Sequence, residues 1–474
     1  RHVVDYARQR GITVVPEVEF PGHVRALLAA HPELSCRGKE LPIPTEKWGV
    51  FEDVLCVGNP DSQKLVDDVL DEVAALFPGP YIHIGGDETP TVRWDACSRC
   101  KALGIHPQTH FLATTTAKVR SLGRRAIAWD EVLDHQPPSD LIIMAWRGMN
   151  KAERAIEMNL DVILVPYDVF YLDKPQLPFE DEAVLLDTIV GFEPPTSPHV
   201  LGVQANLWTE FITDLKRAEQ QLFPRLLAVA DVAWSSPEVR KSNPLLGRLE
   251  NARSILDDRG VGSFIDPPTG LEPRRAFIGK GSVELKSTGA AIEYQLGCDG
   301  PMQKYVGPIT VDHTTEICAR VAKSGIARGL VVVEPPSPAL TGVKAGPEGV
   351  RYEYFEGTFT QLPDFDRLGK PLKTGTSPKL VPDGVREKAW AVRLDGLFDA
   401  KETKVYRFTV TSDDGGRITV DGKLVADNDG LHAPRPRSGE IALEKGLHRV
   451  RVEFFQKRGG YTLEVDPGPL YVEP

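Results

Sequence analysis

A chain of 474 residues is long enough for two to four domains, and its apolar fraction of 41 % supports sizeable cores. The balance of 56 basic against 67 acidic residues gives a net charge of −11, which argues against nucleic acid as a partner. No apolar run approaches the roughly 20 residues that a membrane span needs, so no membrane span is expected.

The chain opens on Arg1-His2-Val3-Val4-Asp5-Tyr6-Ala7, where Val3, Val4 and Ala7 fall at helical spacing, so it starts within or at the edge of a helix. No charged n-region or apolar h-region stands there. Residues 1 to about 262 then alternate short apolar runs with helical stretches, the pattern of a parallel α/β fold. The runs fall at 12–18, 81–85, 126–129, 141–146, 162–165 and 201–207. None shows polar alternation, as expected of strands buried on both faces. Asn59 as cap, Pro60 in the first turn and Pro78-Gly79 as stop predict a helix over 61–77. Further helices are expected over 108–122 and 216–234.

Two gaps interrupt this rhythm. The dozen or so residues between the third and fourth runs contain Pro137-Pro138, and 171–199 is rich in Pro and acids. A barrel here would lack two outer helices. It would also show six strands where a closed (β/α)8 barrel has eight.

From about Asp266 the chain turns to β character. Pro267-Pro268-Thr269-Gly270 reads as a linker, 274–333 as a small β-sandwich, and Glu334-Pro335-Pro336-Ser337-Pro338 as a second linker. Residues 346–474 are all β, with alternating runs at 405–411, 417–420, 448–455 and 461–465. The expected division is therefore a catalytic barrel over 1–265 followed by two all-β domains over 274–333 and 346–474.

The six cysteines are too sparse for a disulfide scaffold. Cys97-Ser-Arg-Cys100 has zinc-knuckle spacing, but no second CxxC or His pair completes four ligands. A local disulfide or free thiols are expected there, with no metal and no cofactor.

In parallel α/β barrels the site lies at the C-terminal strand ends. Here those ends carry Glu19 to His23, Asp87-Glu88, Trp129-Asp130-Glu131, Trp146-Arg147, Tyr171 with Asp173, and Trp208-Thr209-Glu210. Packing or surface charge accounts for one Trp or one Glu at a strand end. Six ends repeating the theme describe a sugar pocket, because indoles stack on the CH faces of a pyranose and carboxylates accept from its hydroxyls. Three tryptophans on one rim suit a single sugar rather than a long cleft.

The adjacency of Asp87 and Glu88 bears on mechanism. A retaining glycosidase with two opposed carboxyls needs them roughly 5–5.5 Å apart across the sugar. Neighbours on one strand end cannot easily straddle a ring. With Glu88 as acid, Asp87 would instead hold a substrate group that attacks, and a 2-acetamido oxygen can do so through an oxazolinium. Like-charge repulsion within the pair is expected to keep Glu88 protonated.

His83-Ile84-Gly85-Gly86-Asp87-Glu88, with Val15-Pro16-Glu17-Val18-Glu19-Phe20-Pro21-Gly22-His23 before it and Gln204-Ala205-Asn206-Leu207-Trp208-Thr209-Glu210 after it, resembles family-twenty glycoside hydrolases, the β-N-acetylhexosaminidases. The resemblance covers roughly 1–262. It implies a (β/α)8 TIM-type barrel that cleaves terminal β-linked GlcNAc or GalNAc from glycans. It makes Glu88 the acid/base, supported by His23, and Asp87 the group that orients the acetamido N–H. Tyr171 would bond the acetamido carbonyl, Trp129, Trp146 and Trp208 would form the cage, and Asp173 and Glu210 would take sugar hydroxyls. By the same resemblance the barrel's first two strands, with the Arg that grips O3 and O4, are expected to be missing from this chain. Position 19 carries Glu where the family commonly has Asp. Residues 274–333 resemble the small β domain that follows such barrels. Residues 346–474 resemble the protective-antigen type of sandwich through Phe408 to Gly415, Val420-Asp421-Gly422 and Phe454-Phe455-Gln456, a module that is often carbohydrate-binding. A plain turn is favoured for Asp413-Asp414 over a calcium site.

A glycosidase with two opposed carboxylates, drawing its nucleophile from Glu17 or Glu210, and a non-catalytic carbohydrate-binding protein are the alternatives. A secreted or periplasmic location is expected.

Overall fold

Six short runs pair side by side, in parallel and in chain order: β1 (Glu17–Phe20), β2 (Tyr81–Gly85), β3 (Arg125–Trp129), β4 (Ile142–Ala145), β5 (Val162–Leu164) and β6 (Val200–Val203). The computed structural model describes residues 1–43, 49–177, 180, 182–287, 291–321, 326–386, 388–432, 434–457 and 460–473. The chain divides into two units, Arg1–Phe264 and Ile265–Pro474, each described by itself.

The central strands β2 to β5 are buried on both faces, which is why they lack polar alternation. Ile82, Ile84, Ala126, Ala128, Ile143, Ala145, Val162 and Leu164 share a core with Val66 and Leu70 of the helix Pro60–Leu76 and with Phe111, Leu112 and Val119 of the helix Pro107–Ser121. Ile127, Trp129, Ile142 and Met144 belong to a second core with Phe170, Tyr171 and Leu172. Asn59 caps the first of these helices by accepting from the Asp61 N–H, with Pro60 in its first turn. Among the described residues, β1 pairs only with β2 and β6 only with β5.

Three features depart from the sequence-based expectation. The first strand begins at Glu17, not at residue 12. In the register Glu17↔His83, β2 begins at Tyr81, so residues before Val15 have nothing to pair with, and Ile12 is exposed. The expected helix over 216–234 is two helices, Leu215–Leu222 and Arg225–Trp234, because Pro224 has no N–H to continue the ladder. Both expected linkers are paired: Thr269 bridges Lys286, and Ser337 bridges Leu443. The two gaps, as expected, hold no full crossover helix, only a 3-10 helix, Asp130–His135, and the five-residue helix Leu186–Val190.

The turn that ends β2 dictates its own composition. Gly85 has φ +70°, and a Cβ there would collide with the Glu19 carboxylate. A left-handed residue other than Gly costs about 1–3 kcal/mol. Gly85→Ala should therefore lower stability by about that amount, seen as a fall in urea midpoint at unchanged slope. An unmoved midpoint would mean that the turn relaxes freely.

In the second unit, the strands between Arg274 and Val333 form a five-stranded and a two-stranded sheet, with Cys298 and Cys318 joined in a disulfide. The following region pairs a six-stranded sheet with a three-stranded one around Trp390, Phe408, Phe454 and Val452. The two regions meet within this unit: the Arg274 guanidinium donates to Glu440 O at 3.0 Å, and the Glu440 carboxylate accepts from the Ala276 N–H at 3.1 Å. Asp414 closes its turn by accepting from the Lys457 N–H at 2.8 Å, while its own N–H donates to Gln456.

Candidate active site

The sheet delivers its chemistry at one rim. β1 runs through Phe20-Pro21-Gly22 to His23, and β2 through Gly86 to Asp87 and Glu88. His23 Nε2 lies 3.4 Å from Asp87 Oδ2 and 3.3 Å from Glu88 Oε2, so one imidazole bridges both carboxyls. His23 and Glu88 both hold left-handed backbone, φ +50° and +40°. Residues of this kind persist only where the surroundings over-determine them, and they cluster at functional sites. Gln108 of the helix Pro107–Ser121 supports the turn by donating to Gly86 O at 3.0 Å.

Beneath this rim lies a buried acid ladder. The Glu19 carboxyl faces that of Asp87, and a hydrogen bond between the two requires a proton on one of them. Burial, then the Asp87 charge, pushes the Glu19 carboxyl far above the ordinary carboxylate range. Burial also opposes ionisation of Asp87, but hydrogen bonds from His23 and Glu19 outweigh it and hold Asp87 below the usual range. The His23 imidazole is held above its usual value by its bond to Asp87, against the effect of burial. The carboxyl that burial and the Asp87 charge press into the protonated form is thus Glu19.

A buried acid whose folded pKa is raised favours folding most below its unfolded value, and that contribution is lost as pH climbs toward the folded value. For Glu19 the loss begins near 4.5. Glu19→Gln keeps a donor toward Asp87 and removes the titration. The variant should therefore gain stability relative to wild type between about pH 5 and pH 9, and parallel denaturation curves across that range would contradict this.

The aromatic residues link into a chain. Trp129 and Trp208 lie 6.2 Å apart, and Trp146 stacks on Tyr171 at 6.1 Å. Tyr171 lies beside Asn206 and the Trp208 side chain, and burial raises its phenol above the usual value, with the Asp87 charge among the smaller causes. Trp208 is 40 % exposed whereas Trp129 is 2 % exposed, so Trp208 is the more open wall. Asp173 accepts from the Trp208 N–H at 3.4 Å, its carboxyl raised chiefly by burial, and Glu210 is close enough for its charge to be felt there. All nine expected site residues therefore fall at one strand-end rim, in two linked groups: His23, Asp87 and Glu88; and Trp129, Trp146, Tyr171, Asp173, Trp208 and Glu210.

Four residues hold this arrangement in roles the sequence reading did not assign to them. Glu17 accepts from Trp129 Nε1 at 2.9 Å and lies 3.4 Å from His83 Nδ1, which fixes that indole. Glu131 does the same for Trp146 Nε1 at 3.0 Å, and burial pushes its carboxyl up to about 7. Asp130, fully buried, accepts the N–H groups of Trp146 and Arg147. Arg225, also fully buried, donates to the carbonyls of Leu172, Lys174 and Val184, and so shapes the loop that carries Tyr171 and Asp173. The alternation Trp129-Asp130-Glu131 was a signal for two of these. Nothing in the sequence marks Arg225 as an interior residue.

Residues 1–237 match the catalytic domain of glycosyl hydrolase family 20. The chain belongs to this family. Residues 347–472 match the PA14 domain. A beta-hexosaminidase of Porphyromonas gingivalis is 32 % identical over 495 residues, covering 95 % of this chain and 63 % of the relative. A beta-N-acetylhexosaminidase of Cellulomonas fimi is 31 % identical over 294 residues, 56 % of each chain. The family 20 beta-N-acetylhexosaminidase of Streptomyces coelicolor superposes with a TM-score of 0.50 at 28 % identity, covering 56 % of this chain and 55 % of that one. This family 20 chain spans less than two thirds of the length of these relatives.

Proposed function

We propose that this chain carries the reacting carboxyls of a retaining exo-β-N-acetylhexosaminidase that removes terminal β-linked N-acetylhexosamine from glycans. The observation that carries the reading is the single imidazole of His23 lying 3.4 Å from Asp87 and 3.3 Å from Glu88. Two carboxyls sharing one histidine serve one side of a sugar, which leaves the opposite-face nucleophile to the substrate itself.

The acetamido oxygen attacks C1 while the C1–O bond to the leaving sugar breaks, and Glu88 gives its proton to the departing oxygen. Asp87 accepts from the acetamido N–H and balances the positive charge of the oxazolinium. Tyr171 donates to the acetamido oxygen and orients it. Water then adds at C1, Glu88 takes back a proton, and the amide is restored with net retention. Trp129, Trp146 and Trp208 stack around the ring, and Asp173 and Glu210 accept from its hydroxyls. The alternative with two opposed carboxylates is disfavoured for Glu17, whose carboxylate already accepts from Trp129 Nε1.

The Cys298–Cys318 disulfide supports a secreted or periplasmic setting. The C-terminal module would then hold the enzyme against glycan. The reading is tested by fluorinating the acetyl group of a β-GlcNAc substrate: a weaker acetamido nucleophile should slow turnover progressively, and rates indifferent to fluorination would overturn it.

A further inference from the structure

Four cysteines that are scattered in sequence meet in space. Cys36, Cys56, Cys97 and Cys100 each place Sγ within 4.8 Å of the other three, and Cys56, Cys97 and Cys100 are buried. The sulfurs of Cys36 and Cys100 are 3.7 Å apart, those of Cys56 and Cys100 3.7 Å, and those of Cys56 and Cys97 3.8 Å. Thiolates bound tetrahedrally to zinc at about 2.3 Å stand about 3.8 Å from one another along each edge. We propose that these four cysteines form a closed structural zinc site in the catalytic unit.

The ligands escaped the CxxC rule because only one pair is local. Cys36 and Cys56 come from two segments joined by the antiparallel bridge Ser35↔Leu55 and by the Cys56 N–H donating to Leu34 O at 2.9 Å. Cys97 and Cys100 come from the knuckle where the helix Val92–Ala96 gives way to Ser98–Lys101.

The surroundings suit an anionic tetrathiolate rather than four neutral thiols. The Arg99 guanidinium, carried between Cys97 and Cys100, donates to Ser35 O at 2.9 Å beside Cys36, and Gly58 packs against the Arg99–Cys100 peptide. A nearby guanidinium offsets part of the net negative charge of such a centre. The approach is close enough to require glycine, since a Cβ at Gly58 would lie 2.4 Å from the Arg99 carbonyl carbon.

Four protein ligands leave no open position for water, so the ion would hold structure and take no part in hydrolysis. What it would tie together is the excursion that follows β1 and the one that follows β2, the same two that carry His23 and Asp87-Glu88. The ion pairs of Asp53 with Arg25 at 2.9 Å and with Arg93 at 3.0 Å join the same two excursions.

The test is metal analysis of the purified chain, with thiol titration before and after chelation under denaturing conditions. The expected result is about one zinc per chain, four thiols that react only once the metal is stripped, and a tetrahedral thiolate spectrum when cobalt(II) replaces zinc. Cys97→Ser should bring the zinc content close to zero. Metal-free protein with four freely reactive thiols, or with disulfides among these cysteines, would overturn the proposal, and bound iron would overturn the assignment to zinc. None of these readouts depends on hydrolytic activity, so the site stands or falls apart from the hexosaminidase reading.

Discussion

Replacing Glu88 with Gln should slow hydrolysis of an unactivated β-linked N-acetylhexosaminide by about 10²–10⁴-fold, the usual worth of general acid/base assistance. Affinity for the product sugar should change little, since the amide fills the same space and still offers a hydrogen bond. The loss should be much smaller with an aryl glycoside, whose leaving group departs without a proton. The geometry behind this is specific. The Glu88 side chain is 40 % exposed and its backbone is held left-handed, and it meets His23 at 3.3 Å, so it is presented to the pocket and not buried in the ladder below. Near-wild-type turnover of a natural disaccharide by Glu88→Gln would remove Glu88 from the acid role. Determining kcat and KM for both substrate types separates a lost proton donor from lost binding.

Asp87→Asn should produce a comparable loss by another route. A site complementary to an oxazolinium binds stable bicyclic mimics far more tightly than the ground-state sugar, commonly by 10²-fold or more. The wild-type pocket should therefore prefer a GlcNAc-derived thiazoline over GlcNAc by at least about that factor. Asp87 is the charge that would sense the cation, kept ionised by His23 and Glu19 against its own burial. With Asn at this position the preference should collapse while affinity for GlcNAc itself falls only slightly. Competition assays on the two proteins measure this directly. A thiazoline preference that survives Asp87→Asn would assign the cation-stabilising role to another group.

The parts of this molecule that can be read from sequence are those in which local chemistry and tertiary role agree. Asn59-Pro60 starts a helix wherever it is placed, and the structure begins the helix at Pro60. The strand-end carboxylates and tryptophans were visible because a parallel sheet sends every strand's C-terminal end to one rim. What escaped depends on partners distant in sequence. Residues 12–14 are apolar enough for a strand, but pairing, not hydropathy, makes a strand, and β2 offers them no register. The proton on Glu19 follows from burial against Asp87, some 68 positions later in the chain (87 − 19), and not from anything beside it in sequence. Arg225 opens a helix, where a basic residue ordinarily faces water, yet it lies fully buried among loop carbonyls. The four cysteines were individually unremarkable, and only the fold brings Cys36 and Cys56 to the knuckle. Pro224, by contrast, was a break in plain sight, and weighing it would have split the expected helix correctly.

The central claim is that the substrate's own acetamido group supplies the nucleophile to a site in which Asp87 and Glu88 lie together under His23. The most direct measurement is kcat/KM for a pair of aryl β-glycosides that differ only at C2, one bearing acetamido and the other hydroxyl. The account predicts that the 2-acetamido substrate is turned over at least about 10³-fold more efficiently, because removing it removes an intramolecular nucleophile of high effective molarity. Comparable kcat/KM values for the two glycosides would contradict it.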